Sequence, residues 1–275
     1  MKRIFWTAIV LMSAAQASMA QDWWEENSAE YAPIVLEVNA WMNKIDGSVT
    51  WGDGAKPGSE INFKEDAGID SETWGPYVRL NVGLSDRWSF RFGFWHIKHE
   101  GDVKLAKPES FGGINFPSGL QTQTTFELNS YMAALGYKFV DGEQLDFHFL
   151  FGGGAFATRM DMENSAGALA EREATIPTPL IGAALDLSLT KGLMFRSQIM
   201  GFAMGSGSGD GEWYDAEAAL NLTLFQGMYI TGGYKFFRTN VDFNGADDHD
   251  GTNSSNANSA DFDVKGPFIG LGLVF

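Results

Sequence analysis

The chain has 275 residues, a formal net charge of −16 and no cysteine. So acidic a protein repels nucleic acid, which binds basic surfaces, and the lack of cysteine excludes disulfides and thiolate metal sites. The length allows one large domain or two small ones, and the many Phe, Trp and Gly residues belong either to a soluble core or to a surface facing lipid.

At the N-terminus, Lys2 and Arg3 precede an apolar run from Ile4 to Met12, and small and polar residues then lead to Ser18-Met19-Ala20 before Gln21. This three-part pattern reads as an export signal over 1–20, since the apolar run is too short to span a bilayer as a helix. An uncleaved anchor or a buried N-terminal helix is the alternative. Removal of the signal leaves a charge of −18. Residues 21–33 form a short N-terminal segment whose Trp23 and Trp24 suit a membrane interface or a tether.

From residue 34 onward the sequence alternates with period two and shows almost no amphipathic helix pattern. In Ile181 to Leu189, the face Ile181, Ala183, Leu185, Leu187, Leu189 opposes Gly182, Ala184, Asp186, Ser188. Tyr214 to Leu224 and Tyr131 to Phe139 alternate in the same way. Ten such segments are predicted, with cores near 34–43, 75–84, 88–97, 124–140, 145–158, 178–190, 193–204, 212–225, 228–242 and 262–275; eight or twelve strands also fit the alternation. No later run offers the ~20 apolar residues of a membrane helix.

The connections alternate in length. Short turns fall at 85–87, 141–143, 190–192 and 226–227, and longer stretches at 52–73, 101–120, 162–175, 205–211 and 243–261. Short turns on one side and long polar loops on the other resemble an outer-membrane β-barrel, with the long loops outside the cell. On that resemblance the chain is all-β, an antiparallel up-and-down transmembrane barrel over 34–275 in a Gram-negative outer membrane, with 21–33 in the periplasm. Trp88, Tyr137, Phe139, Phe147, Phe195 and Phe275 then face lipid near the periplasmic end, and Tyr131, Tyr214 and Tyr234 near the outer end, as two aromatic girdles.

The last eight residues, Phe268-Ile269-Gly270-Leu271-Gly272-Leu273-Val274-Phe275, resemble the terminal-strand signature that the barrel-assembly machinery recognises. Gly270, Leu273 and Phe275 supply its glycine, hydrophobic and terminal aromatic positions, while Phe268 stands where that signature usually has a polar residue. The resemblance implies two partners: the assembly machinery, and outer-membrane lipid with lipopolysaccharide.

Alternation also names the inward positions. They include the acids Glu37, Asp146, Asp186, Asp215 and Glu217 and the bases Arg79, Arg91, Lys138, Arg196 and Lys235. The signs balance, as a low-dielectric interior requires. About ten strands lie near the size whose interior side chains fill, so these residues read as a salt-bridged plug, with Arg79, Arg91 and Arg196 each meeting an acid. The alternative is a narrow path for ions. Acidic residues crowd the outer loops, Asp53 to Glu72 and Asp247 to Asp263, where they form a solvated surface or share divalent cations with lipid phosphates. Asp248, Asp250, Gly251 and Asn253 lack the glutamate that completes an EF-hand, and Asn253 to Ala260 reads as disordered loop.

No G-x-S-x-G, H-E-x-x-H or P-loop occurs, and no cofactor or metal is expected. Omptin-like proteases are similar in strand number and use acids with histidine on outer loops, a role open to Asp248, His249 and Asp250. His96 and His99 lie at the depth where lipid A-modifying barrels place histidine, and His148 reads as a structural lumenal residue. The leading expectation is a structural or interaction scaffold with acidic outer loops and a plugged lumen; a channel and an outer-leaflet enzyme follow.

Overall fold

The computed structural model describes residues 34–53, 56–205, 210–244 and 257–275. The export signal, the segment 21–33 and the Asp248–His249–Asp250 candidate lie outside the described residues. In chain order the elements are β1 (Ile34–Thr50), β2 (Glu60–Asn62), β3 (Thr73–Gly83), β4 (Trp88–Lys104), β5 (Glu109–Phe111), β6 (Ile114–Phe116), β7 (Gln121–Asp141), β8 (Leu145–Asn164), β9 (Leu169–Thr190), β10 (Leu193–Gly205), β11 (Asp210–Phe225), β12 (Met228–Asn244) and β13 (Ala257–Val274). Ten of them, β1, β3, β4 and β7 to β13, pair antiparallel in chain order, and β13 returns to β1. The seam closes with Phe275 N donating to Ile34 O at 2.9 Å and Ile34 N to Phe275 O at 3.3 Å. Full closure leaves none of the ten barrel strands at the end of the sheet, although the short β2 adds to β1 above it, and the barrel strand number is ten rather than eight or twelve.

Each alternating core lies in one strand, but several strands outrun it at the outer end. The stretch 162–175, expected as a loop, is the top of the β8–β9 hairpin, whose turn occupies only 165–168. Met160, Met162 and Ala170 continue the buried face there. Polar Arg159, Asp161, Glu163, Glu171 and Glu173 occupy the other face, so the segment has the composition of a loop and the alternation of a strand. Likewise β4 runs to Lys104, and β13 begins at Ala257, so the last four residues of the expected disordered stretch are strand.

The 52–73 stretch is also more than a loop. β3 is only 11 residues long, and above its first pair, Asn43↔Thr73, β1 pairs instead with β2, Ser48↔Asn62. Ile61, Phe63, Ala67 and Ile69 are buried there, so this segment patches the wall beyond the end of β3. At its surface Asp70 sits 3.1 Å from both Lys64 and Lys44, and hydrogen bonds from these ammonium groups hold its carboxyl below the usual range. The β5–β6 hairpin adds buried Phe111 and Phe116.

The outward face carries a belt of exposed apolar residues, among them Val38, Leu135, Phe149, Phe151, Ile181, Ile199, Leu220, Ile269 and Leu271. Water does not favour so large a contiguous patch; lipid does. Aromatic pairs mark its ends. Trp88 meets Tyr137 at 5.0 Å at one end, and at the other Phe94 meets Tyr131 at 5.2 Å and Tyr214 stacks on Phe236 at 5.6 Å. Beyond Tyr131 the outward residues of β7 turn polar, through Asn129, Glu127, Thr125 and Gln123.

Candidate functional site: the lumen

All ten inward charges occupy the lumen, and eight of them meet an opposite charge there or at its short-turn mouth, in three groups joined by ion pairs. Arg79 Nη1 lies 2.9 Å from Glu217 Oε1 and 3.4 Å from Glu37 Oε2. Arg196 binds Glu37 through Nη1, with its Nη2 at 3.6 Å from Glu217. Tyr229 donates its hydroxyl to Glu37 at 2.5 Å, and Tyr77 donates to Glu217. Next to this quartet, Lys235 pairs with Asp215, Nζ to Oδ2 at 2.6 Å, while Trp95 Nε1 donates to the same carboxylate at 3.3 Å. Nearer the short-turn end, Lys138 bridges Asp141 at 3.1 Å and Asp146 at 3.3 Å. His148 Nε2 stands 3.6 Å from Asp186.

Arg91 departs from the expectation. It has no acid partner within ion-pair distance among the described residues, and its Nη1 donates at 3.3 Å to Gln198 Oε1, an oxygen Arg79 Nη2 also uses at 3.4 Å. Gln198 is thus a network member that a reading of charges alone passes over. Tyr77 and Tyr229 were missed for the same reason, although Tyr77 shares the inward face of Arg79 two residues away.

The aromatics correct a second expectation. Sequence placed the informative rings on the lipid face; a comparable set fills the outer half of the lumen. Trp41, Trp95, Phe126, Phe156, Trp213, Phe237 and Phe262 are all buried. They meet mainly edge to face, with Trp41 to Trp95 at 5.5 Å, Trp95 to Phe237 at 5.1 Å and Phe156 to Trp213 at 5.1 Å, the geometry that ring quadrupoles favour. Lys235 joins ring layer to charge layer: its ammonium lies 4.7 Å from the Tyr77 ring centre, 5.8 Å from Trp41 and 5.9 Å from Trp95. Below these layers a vestibule of about 600 Å³ reaches the short turns, with Glu37, Arg79, Arg91, Lys138 and Asp186 in its wall. The plug is therefore a sheet of ion pairs capped by rings, rather than ion pairs throughout.

Breaking such a pair from one side strands the other charge. Lys235→Met is expected to destabilise the barrel by about 3 kcal/mol, the lower end for a buried pair because the Trp95 N–H still binds Asp215. Adding Asp215→Leu to that variant is expected to restore most of the loss. Urea unfolding in lipid vesicles reads both.

The terminal strand shapes the same lumen. Ile269, Leu271, Leu273 and Phe275 face outward, while Phe268, Gly270 and Gly272 face inward. Phe268, the departure from the assembly signature, packs edge to face on Tyr77 at 5.6 Å. A Cβ at Gly272 would overlap the Tyr229 ring. Gly272→Ala is therefore expected to push Tyr229 off Glu37 and cost about 1–3 kcal/mol by overpacking, seen as a lower urea midpoint.

The described histidines form no acid–histidine pair at the outer rim. His96 Nδ1 lies 2.9 Å from Asn129 Oδ1, and buried His99 sits 2.8 Å from Asn43 Oδ1 and 3.4 Å from Thr73 Oγ1. His148 is at the opposite end, in the vestibule beside Asp186.

The chain matches no protein-family model and no curated protein. Among solved structures, the outer membrane protease OmpT from Escherichia coli is similar at a TM-score of 0.57 and 8% identity, over 88% of this chain and 97% of that one. The translocator domain of the autotransporter NalP from Neisseria meningitidis aligns at 0.42 and 11% identity, over 98% and 97%. The transport unit of the autotransporter AIDA-I from Escherichia coli aligns at 0.42 and 10%, over 95% and 97%. Identities this low speak to fold alone. With its ten-stranded closure, apolar outer belt and aromatic girdles, the chain is a β-barrel of the outer-membrane class.

Proposed function

We propose that the chain is exported, loses residues 1–20, and works in the outer membrane as a closed scaffold rather than a pore. The observation that carries this reading is the partition across the lumen. Trp95 lines the periplasmic vestibule, Phe237 lines a cup at the outer mouth, and the two rings touch at 5.1 Å. Backed by Phe156 and the Asp215–Lys235 pair, they leave ions no hydrated route. Outside the membrane, β7, β8 and β9 rise as a wall whose outward face carries Glu127, Asp161, Glu163, Glu171 and Glu173. Such a surface suits an interaction role and, close to lipopolysaccharide, the sharing of divalent cations with lipid phosphates.

Assembly through the barrel-assembly machinery rests on Gly270, Leu273 and Phe275. A proteolytic role like that of OmpT finds no support among the described histidines. The test is conductance of the refolded mature protein in planar bilayers, with heat-modifiable migration on a gel as proof of folding. Silence is expected; discrete, reproducible steps from the wild type would overturn the scaffold reading in favour of a narrow channel.

A further inference from the structure

The pairing of lumenal charges leaves one buried base over. Arg79 and Arg196 share Glu37 and Glu217, Lys235 holds Asp215, and Lys138 holds Asp146. Arg91, only 9% exposed, has no carboxylate within ion-pair distance among the described residues. Its Nη1 is committed to Gln198 and its Nε is sealed in the wall. Nη2 is neither sealed nor hydrogen-bonded among the described residues, and it opens on the vestibule. A guanidinium drawn out of bulk water with no anion beside it is costly.

A second donor stands next to it. Asn81 on β3 is the cross-strand partner of Arg91 on β4, and both line the vestibule. The Asn81 carbonyl oxygen is sealed, while its amide nitrogen is open and without a partner among the described residues. Opposed residues of an antiparallel pair hold their Cβ atoms about 5 Å apart. Two free donors within reach of a single carboxylate thus face one space.

Beside these donors the wall is hollow and apolar. Gly93, two residues along β4, lies between Arg79 of β3 and Met132 of β7 in the ladder. A Cβ at Gly93 would meet no atom within 4 Å. Met132, Met200 and the Trp95 ring line the same vestibule. Gln198 holds Met200 close to Arg91, since its oxygen accepts from the guanidinium and its amide donates to Met200 Sδ at 3.5 Å. A space of about 600 Å³ takes a small organic ion together with water.

The charges select the kind of ion. Acids and bases are equal in number around the vestibule, six of each, so a dianion gains nothing from the wall as a whole. One carboxylate asks for no more than the two donors present. We propose that the vestibule binds a small monocarboxylate from the short-turn side. Its carboxylate accepts from Arg91 Nη2 and Asn81 Nδ2, and its short apolar chain lies over Gly93 against Met132, Met200 and Trp95. The proposal holds whether or not the barrel conducts, because the site lies below the Trp95–Phe237 contact.

The test titrates sodium butyrate, at constant ionic strength, into the refolded mature protein in lipid nanodiscs with isotope-labelled methionine methyl groups. Heat-modifiable migration confirms folding in every arm. Saturable NMR shifts of the Met132 and Met200 methyls are expected, while Met160 and Met162, buried at the outer end, stay fixed. Arg91→Gln is expected to weaken binding by about tenfold, the loss of one charge-assisted hydrogen bond. Gly93→Leu fills the hollow without touching the ion pairs, and it is expected to abolish the shifts. Fixed Met132 and Met200 methyls in a folded wild type would overturn the proposal. Equal shifts with the uncharged butyramide would also overturn it, since Arg91 would then not be reading charge. So would inorganic phosphate that binds as tightly as butyrate and is indifferent to Gly93→Leu, which would mean a simple anion site.

Discussion

Replacing Glu217 with glutamine is expected to lower the unfolding free energy of the vesicle-embedded barrel by about 5 kcal/mol, the upper end for breaking a buried charge pair. The carboxylate is buried and serves Arg79, Arg196 and Tyr77 together. A neutral amide of the same shape keeps one acceptor and turns two donors toward guanidinium donors. Glu37 is then left as the single anion for both arginines.

Two controls isolate the effect. Glu127→Gln removes an outward carboxylate 3.6 Å from Lys98, in a half-exposed pair, and is expected to change stability by no more than about 0.5 kcal/mol. Glu37→Gln combined with Glu217→Gln is expected to be non-additive, because the two acids share both arginines. Urea titration of five proteins, the wild type, the three single variants and the double, is sufficient; equal midpoints for Glu217→Gln and Glu127→Gln would show that the lumenal network stores no stability.

The second large effect joins stability to conductance. Trp95→Ala with Phe237→Ala is expected to cost about 3–5 kcal/mol per ring, as for other buried aromatics cut to alanine. It is also expected to turn a silent barrel into one with discrete current steps. The rings form the contact between the vestibule and the outer cup, so removing both joins two spaces that each ring alone still separates. Phe237→Ala by itself is therefore expected to be destabilised and silent. Planar-bilayer recordings of the single and double variants, each checked for heat-modifiable migration, read the difference. A double variant that folds and stays silent would place the barrier elsewhere, in the Lys235–Asp215 layer or the Phe156–Trp213 pair.

Much of this architecture was legible in the chain because a barrel wall is a local device. Side chains alternate with period two whatever lies across the lumen, so Ile181 to Leu189 and Tyr214 to Leu224 showed their faces unaided. Short turns such as 226–227 separated the strands, and all ten inward charges followed from alternation. Strand tops were harder to read. Beyond the lipid the outward face must be polar, so Arg159, Asp161 and Glu163 on β8 carry a loop's composition on a strand's backbone.

The sequence by itself determined the period, the inside–outside assignment within the ten alternating cores and the balanced lumenal charge, since each depends on a residue and its near neighbours along the chain. Tertiary structure alone decided which inward groups meet. Glu37 and Arg196 are 159 positions apart, and Tyr77 and Glu217 are 140; the shear of a closed barrel brings such distant residues to one level. Shear also left Arg91 with Gln198 instead of an acid, assembled rings from β1, β4, β7, β8, β11, β12 and β13 into a plug, and ended the β9–β10 ladder at Ile181. None of these follows from alternation, which says which way a side chain points and not what it will face.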